Sequence, residues 1–127
     1  MALKILIVDD SLIVIRKINE IFIRNGYEVV ATARNGLEAI KLYKEYIPDI
    51  VTMDITMPGM NGIDATKEII EYDSKALIMM ITSHGQEGMV LDAIKAGAKG
   101  YLTKPFDSKK MIVTINEIIQ KYGEEKA

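Results

Sequence analysis

Residues 49–62 read DIVTMDITMPGMNG. A short apolar run, Ile50, Val51 and Met53, delivers a carboxylate, Asp54, and Ile55, Met57 and Pro58 follow. Runs of this kind, bounded by turn residues, read as strands buried on both faces. A carboxylate at the end of one is awkward, because burial without a partner is costly. Asp54 is a turn residue, a member of a structural ion pair, or a group kept for its reactivity.

Outward from this run the chain alternates. Upstream, "LKILIVDD" reads as a buried strand that ends in acidic residues, Ser11 caps a helix after it, and Gly26 stops that helix. Tyr27 to Ala33 gives a second strand. Leu37, Ile40, Tyr43 and Ile47 recur at helical spacing from Gly36 to about Tyr46, and Pro48 closes that helix before the strand Asp49 to Met53. Downstream, Asn61 caps a helix whose buried side is Ile63, Ile69 and Ile70. "ALIMMITS" is a fourth strand; Met89, Val90, Ala93 and Ile94 fit a helix ended by Gly97; "KGYLTKP" is a brief fifth strand. The last helix carries Met111, Ile112, Ile115, Ile118, Ile119 and Tyr122 on one stripe, with Asp107 or Ser108 as its cap. Five strands alternating with five helices predict right-handed crossovers and a doubly wound α/β parallel sheet covered on both faces. Residues 1–127 read as a single domain, with no linker, low-complexity tract or repeat.

Composition narrows the chemistry. The net charge of −2 gives no electrostatic case for nucleic acid. With no cysteine, disulfides, thiolate zinc sites and cysteine nucleophiles are excluded, and a single histidine, His84, excludes a multi-histidine metal site. No apolar stretch approaches the roughly 20 residues that span a bilayer, and the N-terminus turns acidic too quickly for a signal peptide. The expected location is cytoplasmic.

The polar residues fall where the predicted strands end: Asp9 and Asp10 after the first, Asp54 at the third, Thr82 and Ser83 at the fourth, Lys104 after the fifth. Open parallel sheets bind ligands outside the carboxyl ends of their strands, at the point where strand order reverses. Singly, these residues read as a helix cap, a strand end or a solvated lysine. Together, three carboxylates, a hydroxyl and an ammonium form a chemically coherent set. Mg²⁺ relieves repulsion among carboxylates and keeps positions for phosphate oxygens. A carboxylate can then attack phosphorus, with lysine and metal stabilising the charge that develops.

The pieces "ILIVDDS", "PDIVTMDITMPGMNG", "MMITS" and "AIKAGAKGYLTKPF", with the spacing between them, resemble the response-regulator receiver domain, above all its stand-alone CheY-like members. The resemblance covers essentially the whole chain. It implies a five-stranded sheet of order 2-1-3-4-5, with Asp54 as phosphoacceptor. Asp9, Asp10, Asp54 and the backbone carbonyl of Thr56 would hold one Mg²⁺. Thr82 would be the switch hydroxyl, Lys104 the phosphate-binding lysine, Lys104–Pro105 a cis peptide, and Tyr101 the aromatic that repacks on activation. Thr56 and His84 would tune the lifetime of the acyl phosphate, and neither is the amide-bearing type that orients water well, so slow-to-intermediate loss is expected. Lys95, Lys99, Tyr101, Lys109, Lys110 and Met111 would face a partner.

The implied role is a two-component switch, not a turnover enzyme, that accepts a phosphoryl group from a histidine kinase. No output domain is expected after the last helix, so the protein would act by reversible binding, as a monomer or a weak phosphorylation-dependent dimer. A flagellar motor switch protein in chemotaxis is the first expected target, and a phosphotransferase in a phosphorelay the alternative. Neither nucleic acid nor membrane is an expected partner. Two rivals remain open. An aspartate-nucleophile phosphatase of the haloacid-dehalogenase type needs a second acid two positions after the nucleophile, where Thr56 stands. A flavodoxin-like carrier would set its flavin phosphate against Asp9 and Asp10, which repel it.

Overall fold

The computed structural model describes residues 2–83 and 88–126, with the side chains of 124–126 outside that description. Its elements run β1 (Lys4–Val8), α1 (Leu12–Arg24), β2 (Glu28–Ala33), α2 (Gly36–Tyr46), β3 (Ile50–Asp54), α3 (Gly62–Tyr72), β4 (Ile78–Thr82), α4 (Gly88–Ala96), β5 (Gly100–Thr103) and α5 (Ser108–Lys126). The strands form one parallel sheet in the order β2-β1-β3-β4-β5. Order reverses between β1 and β3, so a crevice opens beyond the carboxyl ends of those two strands. No helix among the described residues is long and apolar enough to cross a membrane.

The three central strands are buried almost throughout, while the edge strands β2 and β5 are only partly covered. Each face of the sheet has its own apolar layer. Tyr43, Met53, Ile69 and Met80 lie in one, against α2, α3 and α4. Phe22, Met79, Met111 and Ile115 lie in the other, against α1 and α5.

Short polar side chains set the helix starts. Ser11 Oγ accepts from Val14 N–H, and Asn61 Oδ1 accepts from Asp64 N–H. At α5 the cap is Asp107, whose carboxylate accepts from Lys110 N–H at 2.8 Å. Gly26 and Gly97 take positive φ where α1 and α4 end, a conformation that glycine adopts without strain.

Three apolar assignments change. Leu37 and Ile47, expected on the apolar stripe of α2, are 67% and 45% exposed, whereas Tyr43 of the same series is fully buried and is joined there by Ala39 and Gly36. Ile47 is the left-handed C-cap of α2, φ 42°, and that backbone turn takes it off the stripe. Ile94 on α4 is also about half exposed, because only Ala93 and Ala96 of that helix are buried.

Candidate phosphoryl-acceptor site

Asp9 follows β1 and is fully buried. Its N–H donates to Ala33 O of β2, which fixes the chain at the sheet's edge. Its Oδ1 accepts from Ser11 N–H at 2.9 Å, while its Oδ2 has no hydrogen-bond partner among the described residues and faces Lys104 Nζ at 3.1 Å. Asp10, next in the chain, is exposed at the mouth of the crevice. Asp54 ends β3 at 4% exposure. Gly62, the first residue of α3, donates its N–H to Ile55 O at 2.8 Å, and a Cβ on it would overlap the Asp54 carbonyl. That glycine lets α3 start directly behind the end of β3.

Asp9, Asp10 and Asp54 each bring a carboxylate oxygen within 4.8 Å of the others. Lys104 reaches in from beyond β5, 3.1 Å from Asp9 and 3.7 Å from Asp54. One ammonium is thus shared by two carboxylates and neutralises neither fully. Burial pushes the Asp54 carboxyl up to about 6; Asp9, and more weakly Asp10, push the same way, and Lys104 opposes them. A buried carboxylate oxygen without a hydrogen bond, beside two further carboxylates, is a donor set that suits a hard, oxygen-seeking cation.

Thr82, the last residue of β4, is fully buried, and its Oγ1 has no hydrogen-bond partner among the described residues. An orphaned hydroxyl at that depth has a donor to offer an incoming oxyanion. Lys104 N–H donates to Thr82 O at 2.7 Å, so hydroxyl and lysine are tied by the backbone as well as by position. The Lys104–Pro105 peptide is cis. Thr56 lies exposed in the turn after Asp54. His84 falls outside the described residues.

Tyr101, on the edge strand β5, points outward and is 50% exposed. Lys95, Lys109 and Lys110 are exposed, and Lys99 is half-buried with its ammonium 5.2 Å from the centre of the Tyr122 ring. Met111 does not belong with them. It is fully buried in the apolar layer beneath α5, because one step along a helix from Lys110 turns the side chain by about 100° toward the sheet.

Two site contacts were not foreseen. The Arg34 guanidinium donates to Asp10 O at 3.1 Å, and Lys17 Nζ donates to Phe106 O at 2.8 Å, just past Lys104. Neither residue stands out in the sequence, and only tertiary packing brings them to the site.

Comparison with known proteins points one way. Residues 5–116 match the family described as the response regulator receiver domain. The chemotaxis protein CheY of Bacillus subtilis is 50% identical over 119 residues, covering 94% of this chain and 99% of that protein. The chemotaxis protein CheY of Thermotoga maritima is 48% identical over 118 residues, covering 93% and 98%. Among solved structures, the CheX–CheY–BeF₃–Mg²⁺ complex from Borrelia burgdorferi superposes with a TM-score of 0.88 at 38% identity, covering 92% of this chain and 89% of that chain.

Proposed function

Because the chain belongs to the response regulator receiver family, we propose that it is a phosphorylation-controlled switch of chemotaxis, with Asp54 as its input. An Asp54 carboxylate oxygen attacks the phosphorus of a phosphohistidine on a histidine kinase. The new O–P bond forms as the P–N bond breaks, and the imidazole nitrogen leaves with the bonding pair. Lys104 Nζ, already within reach of Asp54, pairs with a phosphoryl oxygen, and Thr82 Oγ1 donates to another. Bound by Asp9, Asp10, Asp54 and the carbonyl of Thr56, one Mg²⁺ would supply the positive charge that offsets the crowded carboxylates and the incoming phosphate.

The observation that carries this reading is the meeting of three carboxylates, one shared ammonium and one orphaned buried hydroxyl at the sheet's reversal point. A phosphoryl group there rebalances the site: it satisfies Thr82 and draws Lys104. The shift reaches the surface through Tyr101 and the face of α4, β5 and α5, where Lys95, Lys99, Lys109 and Lys110 add positive charge. That face binds the flagellar motor switch. The protein catalyses its own phosphorylation and a slow hydrolysis of the acyl phosphate, tuned by Thr56 and His84, and no other reaction.

Incubation with acetyl phosphate and Mg²⁺ tests the input, read by intact mass. Wild type gains one phosphoryl group and Asp54→Asn gains none. Retention of the label by Asp54→Asn, or sustained turnover of a phosphomonoester, overturns the reading. The output is tested by pull-down with beryllofluoride-loaded protein: motor-switch proteins in the bound fraction support the chemotaxis role, and a phosphotransferase in their place replaces it with a phosphorelay.

A further inference from the structure

Phe106 lies two residues beyond Lys104, in the loop between β5 and α5, and is buried in the apolar layer that also holds Ile15 and Ile18 of α1. Its carbonyl accepts the 2.8 Å hydrogen bond from Lys17 Nζ, a contact between residues 89 apart in sequence. The same ammonium stands 4.6 Å from the centre of the Phe106 ring. Lys17 therefore grips one residue twice, by a charge-assisted hydrogen bond to its backbone and by a cation–π contact to its side chain.

The placement of that grip matters. The segment 104–106 is held on one side by Lys104 N–H on Thr82 O and followed on the other by the Asp107 cap of α5. Lys104 is a long side chain on this segment, and its ammonium must lie between Asp9 and Asp54 to serve both. Lys17 sits on α1, the helix that begins just after Asp9 and Asp10. The residue that grips the lysine loop thus stands on the helix that follows directly from the acidic pair, tied to it where Ser11, the N-cap of α1, donates its N–H to Asp9 Oδ1 at 2.9 Å.

We propose that Lys17 is a positioning residue for Lys104: its double contact with Phe106 references the lysine-bearing loop to α1, and so sets where the Lys104 ammonium meets the acidic pair and the phosphoryl group. The proposal rests on the receiver reading for the role of Lys104, and on the observed contacts for the grip itself. Replacing Lys17 by methionine keeps an unbranched apolar stem over Phe106 and removes both the donor and the charge. Arginine keeps a cation that can donate to a carbonyl and stack on a ring.

Two readouts on the full chain decide the matter. The first is amide hydrogen exchange at Lys104 in metal-free, unphosphorylated protein. The second is the rate of Asp54 phosphorylation by acetyl phosphate at saturating Mg²⁺. Lys17→Met is expected to speed exchange at Lys104 and to slow phosphorylation roughly tenfold, below the hundredfold that a 1 Å misplacement can cost. Lys17→Arg restores both. On a Lys104→Ala background, Lys17→Met has no further effect on the rate, because its influence runs through Lys104. Wild-type exchange and rate in Lys17→Met overturn the proposal, as does an equal loss of rate on the Lys104→Ala background, which marks a general structural role. If wild type itself gains no phosphoryl group, the receiver reading fails, and the exchange measurement still decides whether Lys17 holds the loop.

Discussion

Asp54 on β3 and Tyr101 on β5 stand on strands of one sheet, and their surroundings differ in nearly every respect. β3 runs between β1 and β4, all five of its residues are buried, and α3 starts so close behind Asp54 that only a glycine fits at position 62. β5 is an edge strand with β4 as its one strand neighbour, and Tyr101 leaves half of its surface in water. Packed interiors resist displacement, whereas edges repack cheaply. In the proposed switch, the charge arrives where the structure is over-determined and is read out where it is not. Chemistry at β3 needs fixed atoms; signalling at β5 needs two accessible arrangements.

The largest expected effect tests the rigid end. Gly62→Ala forces a Cβ into the Asp54 carbonyl, which is backbone and cannot yield as a flexible side chain would. Denaturant unfolding should show a loss of about 3 kcal/mol or more, at the upper end for overpacked sites. A loss below about 1 kcal/mol would mean that the end of β3 can shift, and the contrast with β5 would weaken.

A smaller effect comes from the charge itself. The Asp54 carboxyl titrates near 6 in the folded protein, raised from its ordinary 3.8 mainly by burial and next by Asp9. A carboxyl whose folded value is raised binds its proton more tightly in the native state than in the unfolded one. Its contribution to stability is therefore lost as pH climbs from about 4 to about 6, and the full penalty stands above that window. The shift of about two units is worth at most about 3 kcal/mol, and relaxation of the site around the charge reduces this to roughly 1–2 kcal/mol. Metal-free Asp54→Asn should therefore be more stable than wild type at pH 7.5, by roughly 1–2 kcal/mol, with the gap closing toward pH 4. Millimolar Mg²⁺ should narrow the gap at pH 7.5, since the cation favours the ionised acid. A gap that is independent of pH would assign the gain to packing and not to charge.

Much of this was legible from the residue pattern, for identifiable reasons. Continuous apolar runs of four or five residues, each ending in a polar side chain, give both the strands and the edge where their ends converge. Asp9, Asp54, Thr82 and Lys104 could be placed without coordinates because parallel topology aligns strand ends whatever the intervening helices do. Ser11 and Asn61, and at the last helix the pair Asp107 or Ser108, announced helix starts by local hydrogen bonding, which needs no tertiary information. Side-chain direction was less legible. Met111 fits both the apolar stripe of α5 and a surface group with Lys109 and Lys110, and only the docking of the helix chooses the first. Ile47 keeps helical spacing on paper, but a left-handed backbone before Pro48 turns it outward. Lys17 and Arg34 were illegible altogether, because a lysine that grips a carbonyl 89 residues away has the same local sequence as one in water.

The smallest expected effect belongs to the flexible end. Tyr101→Ala removes a side chain that is half exposed on an edge strand, so little packing is lost. Stability should change by less than about 1 kcal/mol, as for a surface substitution away from buried polar groups. Phosphorylation of Asp54 by acetyl phosphate should keep its wild-type rate, because no atom of Tyr101 is needed at the phosphorus. In the proposed switch, binding of the beryllofluoride-loaded protein to a motor-switch protein should weaken, since the aromatic ring would be the part of β5 that exchanges an outward position for an inward one. These three readouts separate the roles that a tyrosine could play here. A stability loss above about 2 kcal/mol would make Tyr101 a packing residue like its neighbour Leu102, and β5 would then be as firmly held as β3. Unchanged partner binding would leave β5 a loose edge with nothing to report, and the output would have to be sought on the exposed lysines of α4 and α5.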